Sequence, residues 1–220
     1  MNKTKRVHLT QLKHGGMVAE YMRVRAEDYS LDPQQAYVVG LLHDVGFVNG
    51  RQDHATTGSD ILRAMGVSAD FCEAIRLHEI SPYKLSAPVD DVPVDELRSL
   101  AEVHFGEIHE SIWDNPMLPL LLEADLRVNR YGSLIGFDRR KEALFRAFPD
   151  EDSRKNIEGQ IRYVFEWCDR AGIPQPPTVA EMKRRIFAED DAEDDAEDDA
   201  EDAFVSEEDE DATADNEEEA

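Results

Sequence analysis

Residues 36–60, AYVVGLLHDVGFVNGRQDHATTGSD, place ionisable side chains directly after an apolar stretch. The first seven residues predict a buried helix, which ends at His43 and Asp44 and which Gly46 is well placed to stop. His54 then opens a second helical segment. A histidine and a carboxylate at the end of a buried helix are unfavourable unless something neutralises or binds them. A divalent metal ion does so, because imidazole and carboxylate groups form a common mixed ligand set for transition metals.

Helical patterns continue on both sides of this segment. Asp32 followed by Pro33 predicts the start of the apolar helix, and Pro82, Pro88 and Pro93 predict a loop over residues 80–94. After a polar start that we expect to be frayed, apolar residues recur at helical spacing over residues 9–28, 56–64, 69–78, 95–112, 116–129, 139–148, 153–171 and 178–188. No alternating pattern of useful length predicts a strand. We therefore predict an all-α bundle over about residues 1–188.

The negative charge of the chain is concentrated at its C-terminus. The net charge is -25, and 20 of the 49 acidic residues follow Ala188, where no Lys or Arg occurs. A repeated A-E-D-D pattern buries too little surface to offset ordering entropy, which predicts a disordered acidic tail over residues 189–220. The rest of the chain is mildly acidic, so it lacks the basic surface expected of a protein that binds a nucleic-acid polymer.

The remaining composition is typical of a soluble protein. Cys72 and Cys168 form no CxxC spacing, which argues against a disulfide framework or a zinc ribbon. No apolar run reaches membrane-spanning length, and the N-terminus lacks the apolar core of a signal peptide. We expect a cytoplasmic protein with no membrane partner.

Six ionisable residues stand in apolar helical surroundings: His14, His43, Asp44, His54, His78 and Asp125. Singly, each has a purely structural interpretation, such as a histidine near a helix C-terminus or an aspartate satisfied by a neighbouring arginine. Together, their order and spacing resemble the HD-domain superfamily of metal-dependent phosphohydrolases. The matching segments are GLLHDVG, HATTGSDIL, AIRLHE and LEADLRV, and the resemblance covers roughly residues 12–129.

The resemblance implies a two-metal site. The first ion is implied to be held by His14, His43, Asp44 and Asp125. Asp44, the implied catalytic residue, would bridge to a second ion held by His54 and His78. The ions would be Fe, Mn, Co or Zn, with Mg also compatible, and a metal-activated hydroxide would attack a phosphate ester or anhydride. The expected substrate is a nucleotide or another small phosphorylated compound.

One position departs from the family pattern. Many members carry a lysine three residues after the Asp of the dyad, where it can neutralise substrate phosphate, and this chain has Phe47. Another cation must then meet the phosphate, and Arg127 and Arg130 are preferred because they closely follow Asp125. The chain also lacks the glycine-tyrosine-proline signature of cyclic-dinucleotide phosphodiesterases, since Glu-Ile-Ser-Pro follows His78.

Two other functions stay open at this point. A di-iron oxygenase uses the same ligand set in another branch of the superfamily, and a dyad without the lysine is compatible with it. A catalytically silent regulatory protein would keep the fold and use the acidic tail. In each case we expect an HD domain over residues 1–150, helices that pack on it over 151–188, and the tail. Glu79 and Glu123 are candidates for orienting a ligating imidazole.

Overall fold

The computed structural model describes residues 3–49, 54–79 and 115–188. Their α-helices are α1 (Lys3–Arg25), α2 (Pro33–Leu42), α3 (His54–Ala64), α4 (Ala69–Leu77), α5 (Met117–Arg127), α6 (Phe137–Ala147), α7 (Glu151–Ala171) and α8 (Val179–Phe187). Short 3-10 helices follow α1 at Ala26–Tyr29 and α2 at Val45–Asn49. This part of the chain contains no strand, only an isolated antiparallel bridge between Val128 and Leu134. The all-α prediction is therefore confirmed for the described residues.

Several helix ends lie where local sequence predicts them. The Asp32 side chain accepts a hydrogen bond of 2.8 Å from the Gln35 N–H at the start of α2. Gly172 ends α7 in the left-handed conformation, with φ of 67°. The expectation of a frayed start is wrong, because α1 begins at Lys3. Lys and Arg are good helix formers, so the polar start continues the helix.

Some of the predicted features cannot be compared with the structure. The loop at 80–94, the helix at 95–112 and the acidic tail at 189–220 lie outside the described residues. The described helices up to Ile186 belong to one compact unit, and a domain boundary at residue 150 stays a prediction. No described helix combines the length and apolarity that a membrane crossing requires. Cys72 and Cys168 are free and buried, in agreement with the absence of a disulfide framework.

Helix α5 is at the centre of the core. All of its residues except Asp125 are buried, including Leu120, Leu121 and Leu122, which expose none of their surface. A helix that is buried on almost all sides must be surrounded by other elements, and α1, α2, α4, α6 and α7 pack around it. Burial of each leucine side chain contributes about 1.5–3 kcal/mol to folding. Asp125 is thus carried to the site by a helix that is packed on almost all sides.

A buried ionic network ties α1 to α5. Glu123 and Arg25 are fully buried, and the Arg25 Nε donates a hydrogen bond of 3.1 Å to Glu123. The hydroxyls of Tyr21 and Tyr29 each donate to the Glu123 carboxylate at 2.6 Å. Arg25 also contacts Asp28 at 2.5 Å. Both oxygens of Glu123 are used here, so this carboxylate stabilises the helix pair rather than orienting an imidazole.

Gly46 allows two elements of the site to touch. A Cβ at this position would lie 1.9 Å from the His54 carbonyl oxygen and 2.6 Å from the Gly58 nitrogen. The residue predicted to stop α2 therefore acts mainly by letting the 3-10 helix Val45–Asn49 contact the start of α3. In α1, by contrast, a Cβ on Gly16 would meet no atom within 4 Å.

Neutralising the buried carboxylate in Glu123→Gln is expected to lower the free energy of unfolding by about 3 kcal/mol, because the Arg25 charge loses its principal partner in the core. Urea denaturation measures this change. The matched control Glu20→Gln breaks an exposed ion pair with Arg23 and is expected to cost at most about 1 kcal/mol. Equal losses in the two variants would contradict a stabilising role for the network.

The variant Gly46→Ala adds a methyl group where two backbone segments touch. We expect it to lower the free energy of unfolding by about 3 kcal/mol or more, because the two segments must separate to admit the methyl group. The control Gly16→Ala places the same methyl group in open space within a helix, and it is expected to raise stability by up to about 1 kcal/mol. Denaturant midpoints that move in the same direction for both variants would argue against a steric requirement at Gly46.

Candidate metal centre

The six predicted site residues converge from five helices. His43 and His78 follow the last residues of α2 and α4, His54 opens α3, His14 lies in α1, and Asp44, which follows His43, and Asp125 complete the set. All four histidines are buried, and none exposes more than 7% of its surface. The side chains of Asp44 and Asp125 keep 17% and 24% of their surface exposed. The cluster is therefore closed on its imidazole side and reached from solvent through the two carboxylates.

Asp44 lies between two pairs of imidazoles. Its Oδ2 is 3.5 Å from His43 Nε2 and 3.9 Å from His14 Nε2. Its Oδ1 is 3.2 Å from His54 Nε2 and 3.7 Å from His78 Nε2. One carboxylate thus faces both halves of the cluster, with a separate oxygen for each half.

Asp125 completes the half of the cluster that contains His14 and His43. Its Oδ1 is 2.9 Å from His14 Nε2 and 3.9 Å from His43 Nε2. Among the described residues, the ion pairs of Asp125 are thus with histidines of the cluster. The sequence would also allow Asp125 to pair with Arg127, but no such pair is found among these residues.

Backbone carbonyls orient three of the rings. The Nδ1 atoms of His14, His43 and His78 lie 3.1, 2.7 and 2.6 Å from the carbonyl oxygens of Asn129, Gly40 and Ile75. A carbonyl only accepts, so each Nδ1 carries the hydrogen and each Nε2 faces the cluster. Ring orientation of this kind is typical of metal-ligating histidines, whose second nitrogen donates to a carbonyl or carboxylate.

The turn after α5 places the partner of His14. Gly132 adopts a φ of 84°, and a Cβ there would lie 2.7 Å from the Lys13 carbonyl oxygen. Glycine is therefore needed both for the left-handed backbone and for the close approach to α1. This approach brings the Asn129 carbonyl to His14 Nδ1.

His54 is held differently from the other histidines. The ring of Phe47 stacks on its imidazole, with centroids 3.9 Å apart and an angle of 16° between the planes. The Glu79 carboxylate lies 3.5 Å from His54 Nε2 and is half exposed. The residue that departs from the family pattern therefore packs against a site histidine, and Glu79 lies where it can contact the same ring.

The carboxylates of the cluster carry strong negative charge. Burial alone would raise the pKa of Asp44, but the charge of His43 and the hydrogen bond from His54 outweigh it and hold the pKa well below its usual range. The pKa of Asp125 is also well below normal, because contacts with His14 outweigh burial. Both groups are ionised at neutral pH, and the pocket therefore attracts cations.

The histidine pKa values diverge within the cluster. Burial lowers the pKa of His43, which exposes none of its surface. His78 is also buried, which by itself disfavours its charged form, yet contact with Asp44 and the charge of Asp125 raise its pKa to about 9. Metal binding requires neutral imidazoles, so an ion must displace the proton of His78.

The residues present fit a divalent transition metal. Among the described residues, no group makes a hydrogen bond with the buried Nε2 of His43, so its lone pair points into the cluster unsatisfied. Two groups have ligand atoms within 4.8 Å of one another, namely His14 with His43 and Asp125, and His43 with Asp44 and His78. Mixed imidazole and carboxylate donors suit Zn, Fe, Mn and Co. The division of these residues between two ions stays a prediction.

The two arginines selected from the sequence lie in different surroundings. Arg127 is buried, donates to the Pro177 carbonyl, and stacks over the ring of Phe137 at 5.2 Å, so its guanidinium is used inside the core. Arg130 is exposed and donates to the Tyr131 hydroxyl at 2.5 Å. Of the pair, only Arg130 therefore has a position that substrate phosphate could reach.

Arg140 in α6 was missed by sequence reasoning. Its positive charge helps to lower the pKa of Asp125, although burial and the contacts with histidines have larger effects on that pKa. Its Nε is buried with no hydrogen-bond partner among the described residues. Arg140 belongs to no motif and lies in the helix after the one that carries Asp125, so no local sequence pattern indicates a role for it. This charge effect on Asp125 arises because α6 folds back against α5.

Comparison with known proteins agrees with this geometry. Residues 12–109 match the family model of the HD domain, a segment that contains every predicted ligand except Asp125. Ribonuclease Y of Chlorobium luteolum is 36% identical over 92 residues, which are 41% of this chain and 18% of that protein. The chain thus spans less than a fifth of the length of this relative. No solved structure is similar enough to count as a match. Residues 12–109 therefore belong to the HD-domain superfamily.

Proposed function

We propose that this protein hydrolyses a phosphate ester or anhydride of a nucleotide or another small phosphorylated compound. The observation that carries the proposal is the position of Asp44, whose two oxygens face separate pairs of buried imidazoles. This is the arrangement that a carboxylate shared by two cations requires. The superfamily supports the class of reaction, and the ribonuclease name of the relative supports hydrolysis of a phosphate ester bond.

The proposed ions divide the cluster at Asp44. One would be held by His14, His43, Asp44 and Asp125. The other would share Asp44 and be held by His54 and His78. Bound divalent ions supply Lewis acidity towards phosphoryl oxygens and lower the pKa of water. The protein contributes ionised carboxylates and imidazoles whose Nδ1 anchors fix the direction of Nε2, so little reorganisation accompanies the reaction.

The charges of the chain favour a small substrate. A protein with a net charge of -25 repels a long polyanion, whereas one phosphoryl group needs only a local cation. The positive charge of Arg140 acts on Asp125, and its buried Nε has no hydrogen-bond partner among the described residues. Together with the exposed Arg130, it is the proposed contact for substrate phosphate.

A di-iron oxygenase is the second candidate. Phe47 occupies the position of the lysine found in many phosphohydrolases of the family, and its ring packs on His54, which leaves no cation there. Oxygen consumption by the iron-loaded, reduced protein separates the candidates, because a hydrolase releases phosphate without consuming oxygen.

Asp44→Asn removes the charge of the shared carboxylate with almost no change in shape. We expect it to lower metal content and to reduce phosphate release by about a hundredfold or more. Elemental analysis and a phosphatase screen over nucleotides, with Mn, Fe, Co and Mg in parallel, measure both effects. Asp60→Asn makes the same change at an exposed residue of α3 and is expected to behave as wild type. Far less than one ion per chain in reloaded wild-type protein would contradict the proposal.

Arg140→Gln removes a cation beside Asp125. Loss of a charge-assisted hydrogen bond to phosphate is expected to raise KM about tenfold or more while kcat changes little. Steady-state kinetics with the best substrate of the screen measures this split. Arg139→Gln, one residue earlier on the exposed surface of α6, serves as the control. A KM that is unchanged in the Arg140 variant would remove this residue from the substrate site.

A further inference from the structure

Helix α7 contacts the end of α4 through two side-chain amides. Gln160 Nε2 donates a hydrogen bond of 3.0 Å to the carbonyl oxygen of His78. Asn156 Nδ2 donates one of 2.9 Å to the carbonyl oxygen of Glu79. Asn156 and Gln160 are one turn apart, so they project from the same face of α7. Two consecutive carbonyls are thus held by a pair of amides from a helix that is remote in sequence.

These carbonyls belong to a helix end that needs partners. The last carbonyls of an α-helix accept no hydrogen bond from a residue of the same helix. His78 directly follows the last residue of α4, so its carbonyl needs a donor from elsewhere. Both Gln160 and His78 are buried, at 6% and 2% exposure, so water is poorly placed to replace the amide. An unsatisfied buried carbonyl is unfavourable, and the Gln160 hydrogen bond is therefore a strong constraint on the position of His78.

The constraint acts on a residue of the metal centre. The ring of His78 is held by its own helix, through Nδ1 and the Ile75 carbonyl, and its backbone is held by Gln160. Because the ring and the backbone of His78 are both held, its Nε2 is kept 3.7 Å from Asp44 Oδ1. Helix α7 lies beyond the segment matched by the HD-domain model, so this support comes from the chain outside that match.

We propose that Gln160 is a positioning residue for His78 and that α7 is thereby a functional part of the metal centre. It acts by keeping the His78 imidazole aimed at Asp44, and it sets the affinity of that half of the site for a divalent ion. Asn156 supports the same helix end at Glu79, whose carboxylate lies near His54. The inference rests on the proposed function only in requiring that the cluster binds metal.

The test compares Mn²⁺ binding to metal-free full-length variants by calorimetry. Gln160→Met keeps the volume of the side chain and removes the donor, and it is expected to weaken Mn²⁺ binding at one site by about 10–100-fold. Val164→Ala is the control on the same helix, because it removes buried packing and no hydrogen-bond donor. It is expected to lower stability and to keep wild-type Mn²⁺ affinity.

A double-mutant cycle assigns the effect to His78. In a His78→Ala background, Gln160→Met is expected to cause no further loss of Mn²⁺ affinity, because the ligand that it positions is gone. Wild-type affinity in the Gln160→Met protein, or an equal loss in both backgrounds, would overturn this inference and leave the proposed function standing. Wild-type protein that binds no Mn²⁺ would overturn both.

Discussion

The rest of the site is arranged around the carboxylate of Asp44, whose two oxygens face separate pairs of imidazoles. Four buried imidazoles and a second carboxylate surround it, and each of these groups loses hydration on folding. Such a cluster is tolerable only if its charges compensate one another or are compensated by bound cations. The pKa values of Asp44 and Asp125 are low, and the Nε2 of His43 has no hydrogen-bond partner in the part of the chain that the structure describes. The negative charge and this lone pair favour a cation.

The scaffold holds this unfavourable cluster by rigid contacts on its far side. Helix α5 is buried along almost its whole length, and Glu123 links it to Arg25 at the end of α1. The missing side chain of Gly46 lets the segment after the dyad touch α3, where His54 begins. The amide of Gln160 fixes the end of α4. The desolvated side chains of the cluster are thus positioned by packing.

The segment that matches the HD-domain model contains only part of the site. The matched segment accounts for the helices that carry the histidines, whereas Asp125, Arg140 and Gln160 lie after it. Gln160 donates to the His78 carbonyl, and the charge of Arg140 acts on Asp125, only because α6 and α7 fold back over α5. The helices after the matched segment therefore supply one hydrogen-bond donor and one positive charge to residues of the cluster.

Local sequence determined the helical class and most helix ends, through apolar spacing and capping residues such as Asp32. The six residues of the cluster were indicated by their resemblance to the HD-domain superfamily, because each of them singly is compatible with a purely structural role. The tertiary structure alone decided that Arg127 is buried against Phe137, that the charge of Arg140 acts on Asp125, and that Gln160 holds His78. The first two depend on how α6 folds back on α5, and the third joins α7 to the end of α4. Their side chains carry no local signal, because the same arginine or glutamine is equally compatible with solvent until the helices pack.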